Sequence, residues 1–139
     1  MEKGSNAPKL LEKCTILVVD DDEEMRSLLV DALQERGCEV VQFSNGNEAL
    51  DFLKKKEPNL IFTDLRMPGG GFSYIGNLIK VAPNSPILLM TAYGDAHSKN
   101  KAFELGVKGY FEKPVRIEDL KGWICQFCMA NPCGNYPFF

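Results

Sequence analysis

Ile16-Leu17-Val18-Val19-Asp20-Asp21-Asp22 runs four apolar side chains straight into three carboxylates. A short continuous apolar run reads as a strand buried on both faces, of the kind found in parallel sheets. The acids then fall at the strand's carboxyl end, where open α/β sheets place their ligand sites. Clustered carboxylates repel, and each raises its neighbours' pKa. The usual reason to keep such a cluster is a hard cation with oxygen ligands.

The same pattern recurs outward from this stretch. The first strand spans Thr15 to Asp20, and further strands are predicted at Glu39 to Phe43, Leu60 to Asp64, Ile87 to Thr91 and Gly109 to Glu112. Helical periods lie between them. Met25, Leu28, Leu29, Ala32 and Leu33 form an apolar stripe after Asp22, with Glu23 and Glu24 suited to the first turn and Gly37 to the far end. Asn45 with Glu48 fits a capping-box-like start to a second helix that buries Ala49, Leu50 and Leu53. Phe72, Ile75, Leu78 and Ile79 face inward on a third, after the loop Pro68-Gly69-Gly70-Gly71. Asp95 caps a fourth helix that ends at Gly106. A fifth follows Pro114 and carries Ile117, Leu120, Ile124 and Phe127. Strand and helix alternate five times, which predicts a parallel sheet with helices on both faces and right-handed crossovers.

The chain has 139 residues, enough for one domain with one sizeable core, and 45% hydrophobic and 25% charged content, which fits a globular chain. Net charge is −3 and no basic run is present, so direct nucleic-acid binding has no support. No apolar stretch approaches a membrane span and no secretion signal opens the chain. Five cysteines, an odd count outside any small secreted scaffold, read as free thiols in a reducing cytoplasmic setting. Met1 to Lys13 is polar and aperiodic, and is expected to fray. The domain reading is therefore a flexible segment 1–13, a folded unit 14–129 and a tail 130–139.

In this architecture all strand carboxyl ends share one edge. Asp20, Asp21 and Asp64 converge there, with Thr91 and Lys113 at the ends of the last two strands. The donor set is oxygen-rich, without His or Cys, so Mg²⁺ is the first choice and Mn²⁺ the second. Such a cation and Lys113 together would offset the acids and attract a phosphoryl group.

Four segments in order and in suitable spacing resemble the receiver domains of two-component response regulators. They are Val18-Val19-Asp20-Asp21, Thr63-Asp64-Leu65-Arg66-Met67-Pro68, Met90-Thr91-Ala92 and Tyr110-Phe111-Glu112-Lys113-Pro114. The resemblance runs from about Lys13 to Phe127 and implies a flavodoxin-like (βα)5 three-layer sandwich, strand order 2-1-3-4-5, with two helices on one face and three on the other. It implies that Asp64 is the phosphoacceptor, taking a phosphoryl group from a phosphohistidine of a sensor histidine kinase or phosphotransfer protein. Asp21 would ligate Mg²⁺ directly, Asp20 largely through water, and the Arg66 backbone carbonyl would add a ligand. Lys113 would pair with the phosphoryl oxygens, and the Ala92 amide would donate to one of them. Thr91 and Tyr110 resemble the switch hydroxyl and the aromatic switch, and the Lys113-Pro114 bond is expected to be cis.

The resemblance further implies output through helix four, strand five and helix five, with weak homodimerisation through that face. Asp64 to Pro68 and Thr91 to Asp95 resemble receivers of enhancer-binding transcription activators. With no output domain read after helix five, the chain is either a stand-alone receiver or one excised from a longer regulator. It is read as no enzyme beyond its own phosphorylation and dephosphorylation. The tail Asn131 to Phe139 is apolar and aromatic, favours a natural end, and carries no lipidation signature.

Other readings are weaker. Asp20 and Asp21 alone could be a helix N-terminal acid cluster, and Asp22 is better read as a cap. His97 lies on the fourth helix toward the surface and is no credible phosphodonor. Cys125, Cys128 and Cys133 have a zinc-like spacing but too few ligands, and Cys128 can pack as a small apolar residue. An aspartyl-phosphate hydrolase would want an acid where Arg66 stands. A phosphorylation-independent docking module would not need the complete acid, Thr and Lys set. Two departures from the family pattern stand out. Gly69-Gly70-Gly71, one residue short, is expected to loosen the loop beside the site. Arg66 and Tyr93 are large where water must enter, which predicts slow self-dephosphorylation.

Overall fold

The computed structural model describes residues 14–128; the expected N-terminal fraying and the aromatic tail lie outside the described residues. Five strands, β1 (Thr15–Val19), β2 (Glu39–Phe43), β3 (Leu60–Asp64), β4 (Ile87–Thr91) and β5 (Gly109–Glu112), alternate with five helices. These are α1 (Glu23–Glu35), α2 (Gly46–Leu53), α3 (Phe72–Val81), α4 (Ala96–Leu105) and α5 (Ile117–Cys128). All strand pairs are parallel, in the order β2-β1-β3-β4-β5.

The apolar runs explain the layering. Every residue of β1, β3 and β4 is buried, because helices cover both faces of the central strands. Side chains alternate along each strand, so Leu17, Val19, Ile61 and Leu89 pack under α2, α3 and α4. Ile16, Val18, Phe62 and Leu88 pack under α1 and α5 on the opposite face. The register sets Thr63 beside Val19, Asp64 beside Met90 and Thr91 beside Glu112, which brings the strand ends to one edge.

The caps follow the sequence. Asp22 accepts from the amides of Glu24 and Met25, Asn45 from Glu48, and Asp95 from Ser98. Asp20 lies just beyond β1, which ends at Val19. Lys113-Pro114 is cis. No helix among the described residues is long and apolar enough to cross a membrane.

Several expectations need correcting. Leu28 is 66% exposed and Val30 is buried in its place. Met25, Leu29 and Leu33 recur every four residues on a 3.6-residue turn, so the buried stripe drifts toward Val30 and away from Leu28. Tyr74 is buried on α3, whereas Phe72 and Ile79 only flank the core.

The glycine loop takes a defined course. Gly69 and Gly71 adopt φ of 74° and 99°, which other residues disfavour. A Cβ on Gly70 would stand 2.5 Å from the Leu65 carbonyl oxygen. Gly46 N–H donates to the Pro68 carbonyl, and Gly71 N–H to that of Leu65. Glycine here permits close approach and a defined turn.

The cysteines are not all free thiols. Cys14, at the foot of β1, forms a disulfide with Cys128, at the end of α5, with Cα atoms 5.0 Å apart. Both half-cystines border the α1/α5 core. A separation of 114 residues hides this pairing from any local spacing rule. Cys38 is free and buried, and burial pushes its thiol pKa up.

Candidate functional site

Asp20, Asp21 and Asp64 meet at the carboxyl edge of the sheet, with one carboxylate oxygen from each lying within 4.8 Å of the others. Asp20 and Asp64 are buried and Asp21 is exposed, so the cluster opens to solvent on one side. The chain's path holds each in place. Asp20 N–H donates to Phe43 O at 3.1 Å, continuing the ladder with β2 one residue past β1. Arg26 Nη1 donates to the Asp20 carbonyl at 2.6 Å while its Nε donates to Gln42 Oε1. The Asp22 amide donates to Asp20 Oδ1, and the Arg66 amide to Asp64 Oδ1 at 3.2 Å.

Lys113 reaches in from the end of β5. Its Nζ lies 2.7 Å from Asp20 Oδ2 and 3.0 Å from Asp64 Oδ2. Burial works against the ammonium, but its hydrogen bonds to Asp20 and Asp64 outweigh that and hold its pKa above the ordinary value. Burial pushes the Asp64 carboxyl up; Lys113 pulls it down, and the Asp20 charge adds to the rise. One ammonium faces three carboxylates, a local excess of negative charge that a divalent cation would neutralise. Asp20 Oδ2 fits that role. It is buried and, although close to Lys113, has no hydrogen-bond partner of good geometry. An all-oxygen donor set suits Mg²⁺ or another hard cation.

The remaining candidates stand around this centre. Thr91 is fully buried; its carbonyl accepts from the Lys113 amide at 2.8 Å. Its hydroxyl accepts from the Tyr93 amide at 3.3 Å. Ala92 is exposed next to it, and Tyr93 is 76% exposed. The Arg66 side chain is exposed. Tyr110 lies against Gly94, where an added Cβ would come within 2.8 Å of the phenolic oxygen. That oxygen is buried beside the Asp95 backbone, without a hydrogen bond of good geometry. Beside it a groove of about 460 Å³ runs along the α4 start, β5 and α5, lined by Gly94, Asp95, Lys99, Tyr110, Phe111 and Asp119.

Two residues were missed from sequence. Arg26 anchors the Asp20 carbonyl, and only its place one turn after the acids hinted at it. Tyr74 donates or accepts at 2.8 Å with Thr63 Oγ1, directly beneath Asp64. Burial pushes its phenol well above the ordinary tyrosine range.

Residues 16–124 match the response regulator receiver domain family. The sporulation initiation phosphotransferase F of Bacillus subtilis is 33% identical over 107 residues, 76% of this chain and 86% of that protein. The DNA-binding transcriptional regulator NtrC of Salmonella typhimurium is 34% identical over 110 residues, 78% of this chain but only 24% of that protein. A Burkholderia pseudomallei response regulator, crystallised with a phosphorylated aspartic acid, calcium and citrate, superposes with a TM-score of 0.74 at 30% identity. That match covers 79% of this chain and 65% of the other. The beryllofluoride-activated NtrC4 receiver domain dimer gives 0.74 at 29% identity, covering 79% and 92%.

Proposed function

The chain belongs to the response regulator receiver family of two-component systems, and on that premise we propose that Asp64 is its phosphoacceptor. The donor is a phosphohistidine on a sensor histidine kinase or a phosphotransfer protein. The observation that carries this reading is the Lys113 ammonium standing 2.7 Å from Asp20 and 3.0 Å from Asp64. Two buried acids and a lysine at one edge suit phosphoryl transfer, which needs positioning and charge neutralisation more than covalent help.

Asp64 supplies the nucleophilic oxygen. Its Oδ–P bond forms as the donor's N–P bond breaks, and the freed imidazole leaves with the donor. Lys113 then pairs with the phosphoryl oxygens, and the Ala92 amide donates to one of them. Asp20, Asp21, Asp64 and the Arg66 carbonyl would hold Mg²⁺, with Mn²⁺ as a substitute. When bound, the cation supplies charge neutralisation for the incoming phosphoryl oxygens. Arg66 and Tyr93 restrict the approach of water, so the phosphoryl group is lost slowly. The chain modifies itself and turns over no separate substrate.

The added charge, roughly −1.5 to −2 by analogy with other phosphoresidues, is felt by Thr91 and Tyr110. Rotation of the Thr91 hydroxyl toward it gives up the Tyr93 amide and alters the loop under which Tyr110 packs. Output passes through α4, β5 and α5, where the groove beside Tyr110 offers a partner surface and weak self-association uses the same face. A similar receiver, the beryllofluoride-activated NtrC4 domain, is a dimer, which supports self-association as such. We place the domain at 14–129 and, on its family membership rather than on its thiols, the protein in the cytoplasm.

The test is incubation with Mg²⁺ and acetyl phosphate, read by intact mass. One phosphoryl adduct, absent in Asp64→Asn, is expected. No adduct in protein that binds Mg²⁺ would overturn the reading and leave a phosphorylation-independent docking module.

A further inference from the structure

Directly beneath Asp64 lies a buried polar pair that an apolar pair could have replaced. Tyr74 is 3% exposed on α3, beside Ile75 and Leu78. Its hydroxyl is 2.8 Å from Thr63 Oγ1, and Thr63 is fully buried on β3 one residue before Asp64. Thr63 Oγ1 in turn donates to the Asp64 carbonyl at 3.1 Å. A threonine hydroxyl has one proton. With that proton spent on the Asp64 carbonyl, Tyr74 must be the donor of the other bond. The result is a directed chain, from the Tyr74 O–H to the Thr63 hydroxyl to the Asp64 main chain.

Tyr74 is also held from behind. A Cβ on Gly46 would approach its Cδ1 to 2.8 Å, so the ring lies flush against the start of α2. The Gly46 amide is bonded to the Pro68 carbonyl of the loop that follows Asp64. Both sides of the Asp64 backbone are therefore tied to the same α2–α3 contact. Buried hydroxyls cost desolvation and are worth keeping only when satisfied. Here they are satisfied toward the one main-chain position that sets where the Asp64 carboxylate points.

We infer that Tyr74 is a positioning residue. Acting through Thr63, it fixes the backbone at Asp64 and so aligns the carboxylate with the incoming phosphoryl group. The inference rests on Asp64 being the phosphoacceptor. Alignment of this kind is sensitive to displacements well under 1 Å.

The full chain is tested as Tyr74→Phe, which keeps the ring, and as Thr63→Val and Thr63→Ser. Phosphorylation by acetyl phosphate is followed across donor concentrations, with Mg²⁺ affinity measured separately. Tyr74→Phe and Thr63→Val are expected to slow the reaction at saturating donor by roughly tenfold. Half-saturating donor and Mg²⁺ affinity should stay near the parental values, which a general loss of folding would not allow. Thr63→Ser restores the hydroxyl and should restore the rate. Parental rates in Thr63→Val, or in folded Tyr74→Phe, overturn the inference alone. Absence of an adduct in the parent chain, or its survival in Asp64→Asn, overturns the phosphoacceptor reading and this inference with it.

Discussion

Lys113 Nζ stands 2.7 Å from Asp20 Oδ2 although 93 residues separate them. The lysine is at the end of β5 and the aspartate just past β1, with β3 and β4 between their strands. Only the parallel topology makes them neighbours. Lys113→Met keeps most of the stem and removes the charge. It leaves two buried carboxylates without their ammonium, an arrangement that costs about 3–5 kcal/mol when a buried pair is broken. Urea unfolding without divalent cations should show a loss approaching that range, and added Mg²⁺ should recover part of it. Phosphoryl adduct formation should fall by roughly tenfold or more, since an electrostatic contact to the transferring group is gone.

Asp21 separates cation binding from folding. It is exposed, while Asp20 and Asp64 are buried with it in one cluster. Mg²⁺ is expected to raise the unfolding free energy with the logarithm of its concentration, by about 2.7 kcal/mol at a hundredfold excess over Kd. Asp21→Asn should fold as the parent does and show little of this gain. An equal gain in Asp21→Asn would remove Asp21 from the ligand set.

The strands and their order were legible because each central strand is a continuous apolar run, and such runs have one good home in a two-sided sheet. The acids, Thr91 and Lys113 were legible because each closes a strand. Side-chain detail was less so. Leu28 was misplaced because a helix stripe drifts, and a list of apolar residues does not say which edge of the stripe faces out. The bond between Tyr74 and Thr63 joins α3 to β3, with Gly46 of α2 against the ring, and nothing local to any of the three announces it. The close approach that Gly69 and Gly70 permit was not legible either, because glycine's two uses, freedom and close approach, look alike in a sequence.

Asp95 gives α4 a pH-dependent start. Its carboxylate accepts from the Ser98 amide at 2.7 Å, and that bond with the Ser98 side-chain interaction holds its pKa below the ordinary value. A depressed carboxyl pKa contributes stability in full above its unfolded value of about 3.9. That contribution is lost as pH falls through the lower folded value. Protection of the first-turn amides of α4 against hydrogen exchange should therefore hold down to about pH 4 and fall below it. Asp95→Asn keeps a capping side chain but has no charge to lose, and should flatten this dependence. Since α4 borders the groove beside Tyr110, the same acid range should weaken partner binding there.

The disulfide between Cys14 and Cys128 ties the first described residue to the last, closing a loop whose ends are 114 residues apart. A crosslink over so long a loop removes much freedom from the unfolded chain, worth roughly 4–5 kcal/mol in the chain-entropy account. Measured losses on removing native disulfides run at about 2–5 kcal/mol. Cys14→Ser, or full reduction, should lower unfolding stability by that order while leaving the carboxyl-edge site intact. The tie lies at the amino end of β1, and the acids lie beyond its carboxyl end. Mg²⁺ affinity and the initial rate of phosphorylation should thus be the same in oxidised and reduced protein. Exchange along α5 should differ most, because that helix loses its anchor at Cys128. Equal stability in the two redox states would show that the cysteines are not bridged in solution.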